Sequence, residues 1–408
     1  MVALSLLAAC QNDDLPGGGN EYEPIAMTKT ETELASQGAD FAFRFFRAVD
    51  KSLLENAGLP QEERDEPLFV SPLSASFALS MLANGAEGET LQELTDALGF
   101  SGYSMEEVNA YYKKLVEELP KQDKESRLAL ANSLWLDTQF DALAAYKSVL
   151  TDNYDAEVRQ VDMATAVDDI NAWCSQKTNG LIPKILKENE DGLSMLLLNA
   201  LYFKGEWDDP FDVEDTREDV FANADGTESR TVFMNKEDWL RYAQNDLFGM
   251  VSLPYGNGAF SLQVLLPNEG VALSDCVEAL NGDVWTDLLN EMSFMEVDLR
   301  IPKLKTDRLL GDLRPALEAM GVKKAFAEGA DFSKLSGQSL FISLVRQAVS
   351  FNMDEKGTEA AAVTGVGGEM AAPPPSQVID FHVQRPFLLM LTEKSTGCVL
   401  FIGKVVKM

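Results

Sequence analysis

The stretch from Glu355 to Pro375 constrains this chain more than any other. It reads Glu-Lys-Gly-Thr-Glu-Ala-Ala-Ala-Val-Thr-Gly-Val-Gly-Gly-Glu-Met-Ala-Ala-Pro-Pro-Pro. It is rich in Gly and Ala and lacks large apolar anchors, which is the composition of a flexible linker. Its flanks do not suit a linker. Before it, Ser343 to Met353 alternates like a strand; after it, Val378 to Val406 is apolar and β-forming. About 30 residues follow, too few for a domain of their own. The segment is therefore strung between two strands of one core.

Successive side chains of an extended strand face opposite ways. The even positions are Thr358, Ala360, Ala362, Thr364, Val366, Gly368 and Met370, all uncharged and all small before Met370. The odd positions carry both acids, Glu359 and Glu369. One face could enter an apolar sheet interface while the other stays in water. A loop of this composition is able to become a strand.

The remaining bulk properties exclude several functions. The chain has 408 residues, 46% of them hydrophobic, enough for a large core. A formal net charge of −32 argues against nucleic acid, whose phosphates need Lys and Arg, and fits a soluble, self-repelling surface. After the first ten residues no apolar run is long enough to cross a membrane. The one histidine, His382, sits in an expected strand between Phe381 and Val383. A single histidine leaves no His-based metal cluster and makes a Ser-His-Asp site improbable. We expect a surface or structural role for it, no enzymatic activity, no cofactor and no metal. The cysteines are Cys10, Cys174, Cys276 and Cys398, with no Cys-x-x-Cys pair. Cys398 reads as a small buried hydrophobe, and no disulfide framework is expected.

Taken in order, the chain opens with Leu7-Ala8-Ala9-Cys10, which resembles a bacterial lipobox. That implies a signal peptide over residues 1–9, lipidation of Cys10 and a polar, Gly-rich tether over 10–28, with the folded part at 29–408. Asp13-Asp14 resembles the acidic tract that accompanies export to the cell surface. The expected location is therefore lipid-anchored outside the cytoplasm, at the outer membrane or cell surface. Apolar residues at helical spacing predict a helix over Glu31 to Leu54. A strand ends at Ser71, Pro72 suits a first helical turn, the helix runs to Ala83, and Thr90 is expected to cap the next one. Arg127 to Leu136 reads as a strand. Ile170 onward reads as a helix stopped at Gly180, and Met195 onward as a strand buried on both faces. Residues 247–267 form a hairpin about Gly256-Asn-Gly258, Val297 to Lys303 is a strand, and Leu309 to Met320 is expected to be helical.

Several of these stretches resemble the serpin family of loop-inserting protease inhibitors. Glu355-Lys-Gly-Thr-Glu-Ala-Ala-Ala362 looks like the serpin hinge. The run Asn199-Ala-Leu-Tyr-Phe-Lys-Gly-Glu-Trp207, with Pro210-Phe211, is a specific signature. Further matches are Ile170-Asn-Ala-Trp173 with Thr178-Asn-Gly-Leu-Ile182, Asp331-Phe-Ser-Lys-Leu-Ser336, Arg385-Pro-Phe387 and the final apolar strand. The resemblance runs from about residue 30 to the C-terminus.

It implies an α+β serpin fold. In that fold a large, central, mostly antiparallel sheet is joined by additional β-sheets, about eight or nine helices and an exposed reactive-centre loop at about 355–377. It implies a hinge of Glu355, Gly357, Thr358, Glu359, Ala360, Ala361 and Ala362. Ser71, Ser74, Asn199 and Gln347 would form the shutter at the middle of the sheet, and Trp207 would mark the breach where the loop first enters. Many serpins have histidine where this chain has Gln347. A glutamine can donate and accept as neutral histidine does and could bridge Asn199 to the serines, but it cannot titrate near neutral pH. The family cuts about sixteen residues after the hinge glutamate, which is Ala371–Ala372 here, with Met370–Ala371 as runner-up. The implied partner is a target serine protease of the elastase-like or subtilisin-like kind, held as a covalent acyl complex. Cysteine proteases are a possible second target, and the inhibitor is expected to be a monomer. The alternative function is a non-inhibitory surface lipoprotein acting as carrier, chaperone or adhesin.

Overall fold

A computed structural model describes residues 22–56, 66–188, 193–358 and 378–408. Among these residues the chain forms nine α-helices and two sheets, one of nine strands and one of seven. Chain order begins with α1 (Lys29–Glu55), β1 (Leu68–Val70), α2 (Pro72–Gly85), α3 (Gly88–Leu98) and α4 (Met105–Glu118). There follow β2 (Arg127–Asp137), α5 (Ala144–Tyr154), β3 (Ala156–Val161), α6 (Val167–Lys177) and β4 (Met195–Glu206). The middle of the chain is β5 (Arg217–Ala222), β6 (Glu228–Gln244), β7 (Phe248–Tyr255), β8 (Phe260–Pro267), α7 (Leu273–Ala279), α8 (Gly282–Glu291) and β9 (Ser293–Pro302). The last part is β10 (Leu304–Leu310), α9 (Arg314–Ala319), β11 (Leu344–Val345), β12 (Gln347–Asp354), β13 (Gly357–Thr358), β14 (Ile379–His382), β15 (Phe387–Glu393) and β16 (Val399–Val405).

Local chemistry sets the helix starts. Thr28 caps α1 through a reciprocal box with Glu31, so the helix begins before the apolar periodicity does. Ser71 caps α2, and Pro72 fills its first turn, where a missing N–H is harmless. Two expectations fail nearby and later. Thr90 does not cap α3; it lies inside the helix, and its hydroxyl accepts the Asp331 N–H instead. The helix expected over Leu309 to Met320 is cut short. Leu309 and Leu310 end β10, which pairs residue by residue with β12, and only Arg314–Ala319 is helical. The helical spacing of Leu309, Leu310, Leu313 and Leu317 conceals a strand end, a glycine and a helix opened by Pro315.

The seven-stranded sheet has the order β10-β12-β13-β4-β2-β3, with β11 also on β4. β4 is buried on both faces, as its continuous apolar run requires. Met195, Leu197, Leu201 and Phe203 join the main core, which also holds Phe45, Phe77 and the nine-stranded sheet's inner face. Leu196 and Leu198 face a second core under α6, where Trp135 and Trp173 meet edge to face with centroids 6.2 Å apart. The three cysteines among the described residues, Cys174, Cys276 and Cys398, are buried and free.

Candidate functional site

Gly357 and Thr358 are the last described residues before position 378, and they lie inside the seven-stranded sheet. β13 is wedged antiparallel between two strands: Gly357 faces Asp354 and Glu206, and Thr358 faces Met353 and Gly205. Further along the seam β11 lies directly on β4 in parallel, Leu344 against Leu196 and Val345 against Leu197. Among the described residues β12 pairs with β10 and β13 but forms no ladder with β4. The sheet is thus threaded at one end of a seam and closed at the other.

The threaded end has a specific chemistry. Gly357 has φ +144°, and a Cβ there would stand 2.1 Å from the Gly205 carbonyl oxygen, so no larger residue fits without displacing backbone. Thr358 is 2% exposed, with its hydroxyl 2.7 Å from that of Tyr255. Burial pushes the Tyr255 phenol far up, so this hydroxyl stays protonated. Tyr255 stacks on Trp207 with centroids 4.3 Å apart. Trp207 holds the hinge three ways: its N–H donates to Lys356 O, its Nε1 donates to Asp354 O, and its ring backs Tyr255.

Glu355 is buried beside this wedge. Lys303 Nζ lies 2.5 Å from its carboxylate, the Thr216 hydroxyl donates to it at 2.8 Å, and the Phe211 N–H takes its carbonyl. Burial raises the carboxyl pKa, but the Lys303 ammonium and the hydrogen bonds outweigh burial and hold it below its ordinary value.

Ser71, Ser74, Asn199 and Gln347 are all buried and cluster at the middle of the sheet. Their bonding differs from expectation. Gln347 Oε1 accepts the Ser71 N–H and Gln347 Nε2 donates to the Ser71 carbonyl, both at 2.8 Å. The amide thus satisfies Ser71's main chain and does not bridge to Asn199. The Ser71 hydroxyl donates to Leu400 O and accepts the Ser74 N–H. Asn199 instead donates to Asn132, which donates in turn to Tyr154 O. Lys303, Thr216, Tyr255 and Asn132 were not marked by the sequence, because each is far away in the chain and carries no local pattern. Glu359, Ala360, Ala361, Ala362, Met370, Ala371, Ala372 and Cys10 lie outside the described residues.

A family model described as Serpin (serine protease inhibitor) matches residues 36–408. Iripin-2 of Ixodes ricinus is 30% identical over 94% of this chain and 96% of its own length. The leukocyte elastase inhibitor of Bos taurus is 31% identical over 83% of this chain and 92% of its own length. The native-state structure of the thermophilic serpin tengpin superposes with a TM-score of 0.83 at 30% identity, over 96% of this chain and 97% of tengpin. This chain belongs to the serpin family.

Proposed function

We propose that this protein is a suicide-substrate inhibitor of serine proteases. The observation that carries the reading is the seam: a hinge already threaded between β12 and β4, above a parallel β11–β4 contact that an antiparallel strand could replace. In this reading a protease attacks the reactive segment, and its serine forms an ester with the residue before the cut bond. The cut frees the hinge end, which adds to the sheet as a full strand. The gain is ladder hydrogen bonds and buried apolar surface. The attached protease is carried to the far end of the sheet and distorted before water can release it. The inhibitor contributes conformational energy and no catalytic group.

The register supports the parity argument. Continued one residue at a time from Thr358 opposite Gly205, it would set Ala360 against Phe203, Ala362 against Leu201, and Gly368 against Met195, where β4 begins. The even positions would face the main core with Phe203, Leu201 and Leu197. Thr364 would come opposite Asn199, whose Oδ1 is buried without a partner among the described residues. A cut at Ala371–Ala372 leaves enough chain to pair with all of β4. A cut after Met370 does too, but one at Gly367 or earlier does not.

Ala or Met before the cut suits proteases with shallow apolar pockets, elastase-like or subtilisin-like. Arg and Lys are absent between Lys356 and Arg385, which disfavours trypsin-like enzymes. Papain-like cysteine proteases form a second class of candidate target. We further propose a monomer tethered by a lipid on Cys10, outside the cytoplasm at the outer membrane or cell surface. Cys10→Ser should then yield soluble protein, and unchanged membrane partitioning of that variant contradicts the anchor. Mass spectrometry of the peptide released by an elastase-like protease tests the cut: a new N-terminus at Ala372 or Ala371 agrees, and one at Gly367 or earlier does not.

A further inference from the structure

β14 ends the nine-stranded sheet and, among the described residues, pairs with one strand only, β9, in parallel register. That register sets Asp380 against Asp298 and His382 against Arg300. Leu299 and Phe381 between them are buried, so these four polar residues share the outer face. From the other side β6 brings Glu237 against Asp298 and Asn235 against Arg300. Three carboxylates, of Glu237, Asp298 and Asp380, thus stand in one row across three strands. Like charges opposite one another on a face weaken a sheet. Beside that row stands the only histidine of the chain.

The ligand atoms of Asp298, Asp380 and His382 all lie within 4.8 Å of one another. His382 Nε2 is 2.8 Å from Asp298 Oδ2, and Arg300 donates to the same oxygen at 3.1 Å. Zinc bound by nitrogen and oxygen at about 2.0–2.2 Å in a tetrahedron holds its ligand atoms roughly 3.3–3.5 Å apart. Side-chain rotation alone spans the difference. Asp380 is exposed and the other two are half-buried, so an ion can reach them from solvent. One imidazole with carboxylates suits a borderline metal better than calcium or magnesium.

We propose that Asp298, Asp380 and His382 form a binding site for a zinc-like divalent ion, which ties the edge strand β14 to β9. Arg300 is the competitor: its guanidinium leaves Asp298 when the ion arrives. Glu237 adds negative potential from the neighbouring strand. β14 directly follows the reactive segment. An uncut segment can be drawn fully into the seven-stranded sheet only by peeling β14 from β9, because its far end is attached there. A segment cut at Ala371–Ala372 carries no such link. The ion would therefore hold the intact inhibitor in its armed form without hindering insertion after cleavage. That consequence rests on the loop-insertion reading; the binding itself does not.

The test is calorimetric titration of zinc into the full chain, stripped of metal and with its thiols reduced. We expect one ion per chain, affinity lowered about tenfold or more in Asp380→Asn and in His382→Gln, and affinity raised in Arg300→Gln. Cobalt in place of zinc should show no thiolate charge-transfer band. Absence of binding, binding unchanged in both ligand variants, or a cobalt–thiolate band overturns the site. Zinc should also slow amide hydrogen exchange over residues 379–383 in the parent and not in Asp380→Asn. Binding without that protection overturns the tie between strands. Protease trapping is measured separately in chelator, so failure of the inhibitor reading and failure of the metal site are distinguishable.

Discussion

Thr358 illustrates how much a single hinge side chain decides. Its hydroxyl meets that of Tyr255 inside the sheet, where Thr358 is buried. Thr358→Arg forces an unpaired guanidinium into the interface, at a cost of roughly several kcal/mol. The variant should be cleaved as a substrate, with trapped complex reduced by about tenfold or more. Glu359→Arg lies on the opposite parity and should change the trapped fraction little. Equal loss in both variants, read as moles of inhibitor consumed per mole of protease, contradicts the parity argument. Gln347 makes a second residue-scale case. Gln347→Ala leaves the buried Ser71 N–H without its partner, at about 1–3 kcal/mol, while the Ser71 carbonyl keeps the Ala75 N–H. Denaturant unfolding should show that loss, whereas the pH dependence that a titrating histidine would confer at this position should be absent in the parent.

At the scale of elements, the hinge strand β13 is held by an ion pair with a predictable pH dependence. The Glu355 carboxyl is held below its ordinary value of 4.5. Its contribution to stability is therefore complete above that value and is lost as pH falls through the lower, folded-state value. The stability difference between the parent and Glu355→Gln should shrink on acidification below 4.5, and thermal unfolding of both at neutral and acid pH checks it. Gly365, Gly367 and Gly368 lie beyond the described residues but within the segment that must become a strand. Glycine weakens a strand by roughly 0.5–1 kcal/mol relative to alanine. Replacing the three with alanine should raise the trapped fraction, measured against cleaved product on a gel. Much of this was legible in the sequence. α1, β2, β4 and the β7–β8 hairpin announce themselves through periodicity or turn glycines. The junction at Leu309 to Ala319 was not, because leucines at helical spacing straddle a strand end. Nor were Lys303, Thr216, Tyr255 and Asn132, since sheet pairing joins residues far apart in sequence and leaves no local mark. The same holds for the row of Glu237, Asp298 and Asp380, which exists only through strand register.

Over the whole molecule, two cores pack on either face of β4, and among the described residues β12 forms no ladder with β4 along the seam between them. Adding a full strand there extends the ladder and buries the even-numbered face, so the loop-cleaved form should be markedly more stable than the intact one. Calorimetric scans before and after nicking the loop should show a large upward shift of the unfolding transition; coincident transitions contradict a stored, unfilled strand position. In the proposed function this energy is spent on trapping a protease. Incubation of the full chain with an elastase-like or subtilisin-like serine protease, followed by boiling in SDS, tests it most directly. A band containing both chains should survive boiling and be absent when the protease's active-site serine is replaced by alanine. Complete cleavage within the reactive segment by both proteases, with no such band at any inhibitor-to-protease ratio, contradicts it.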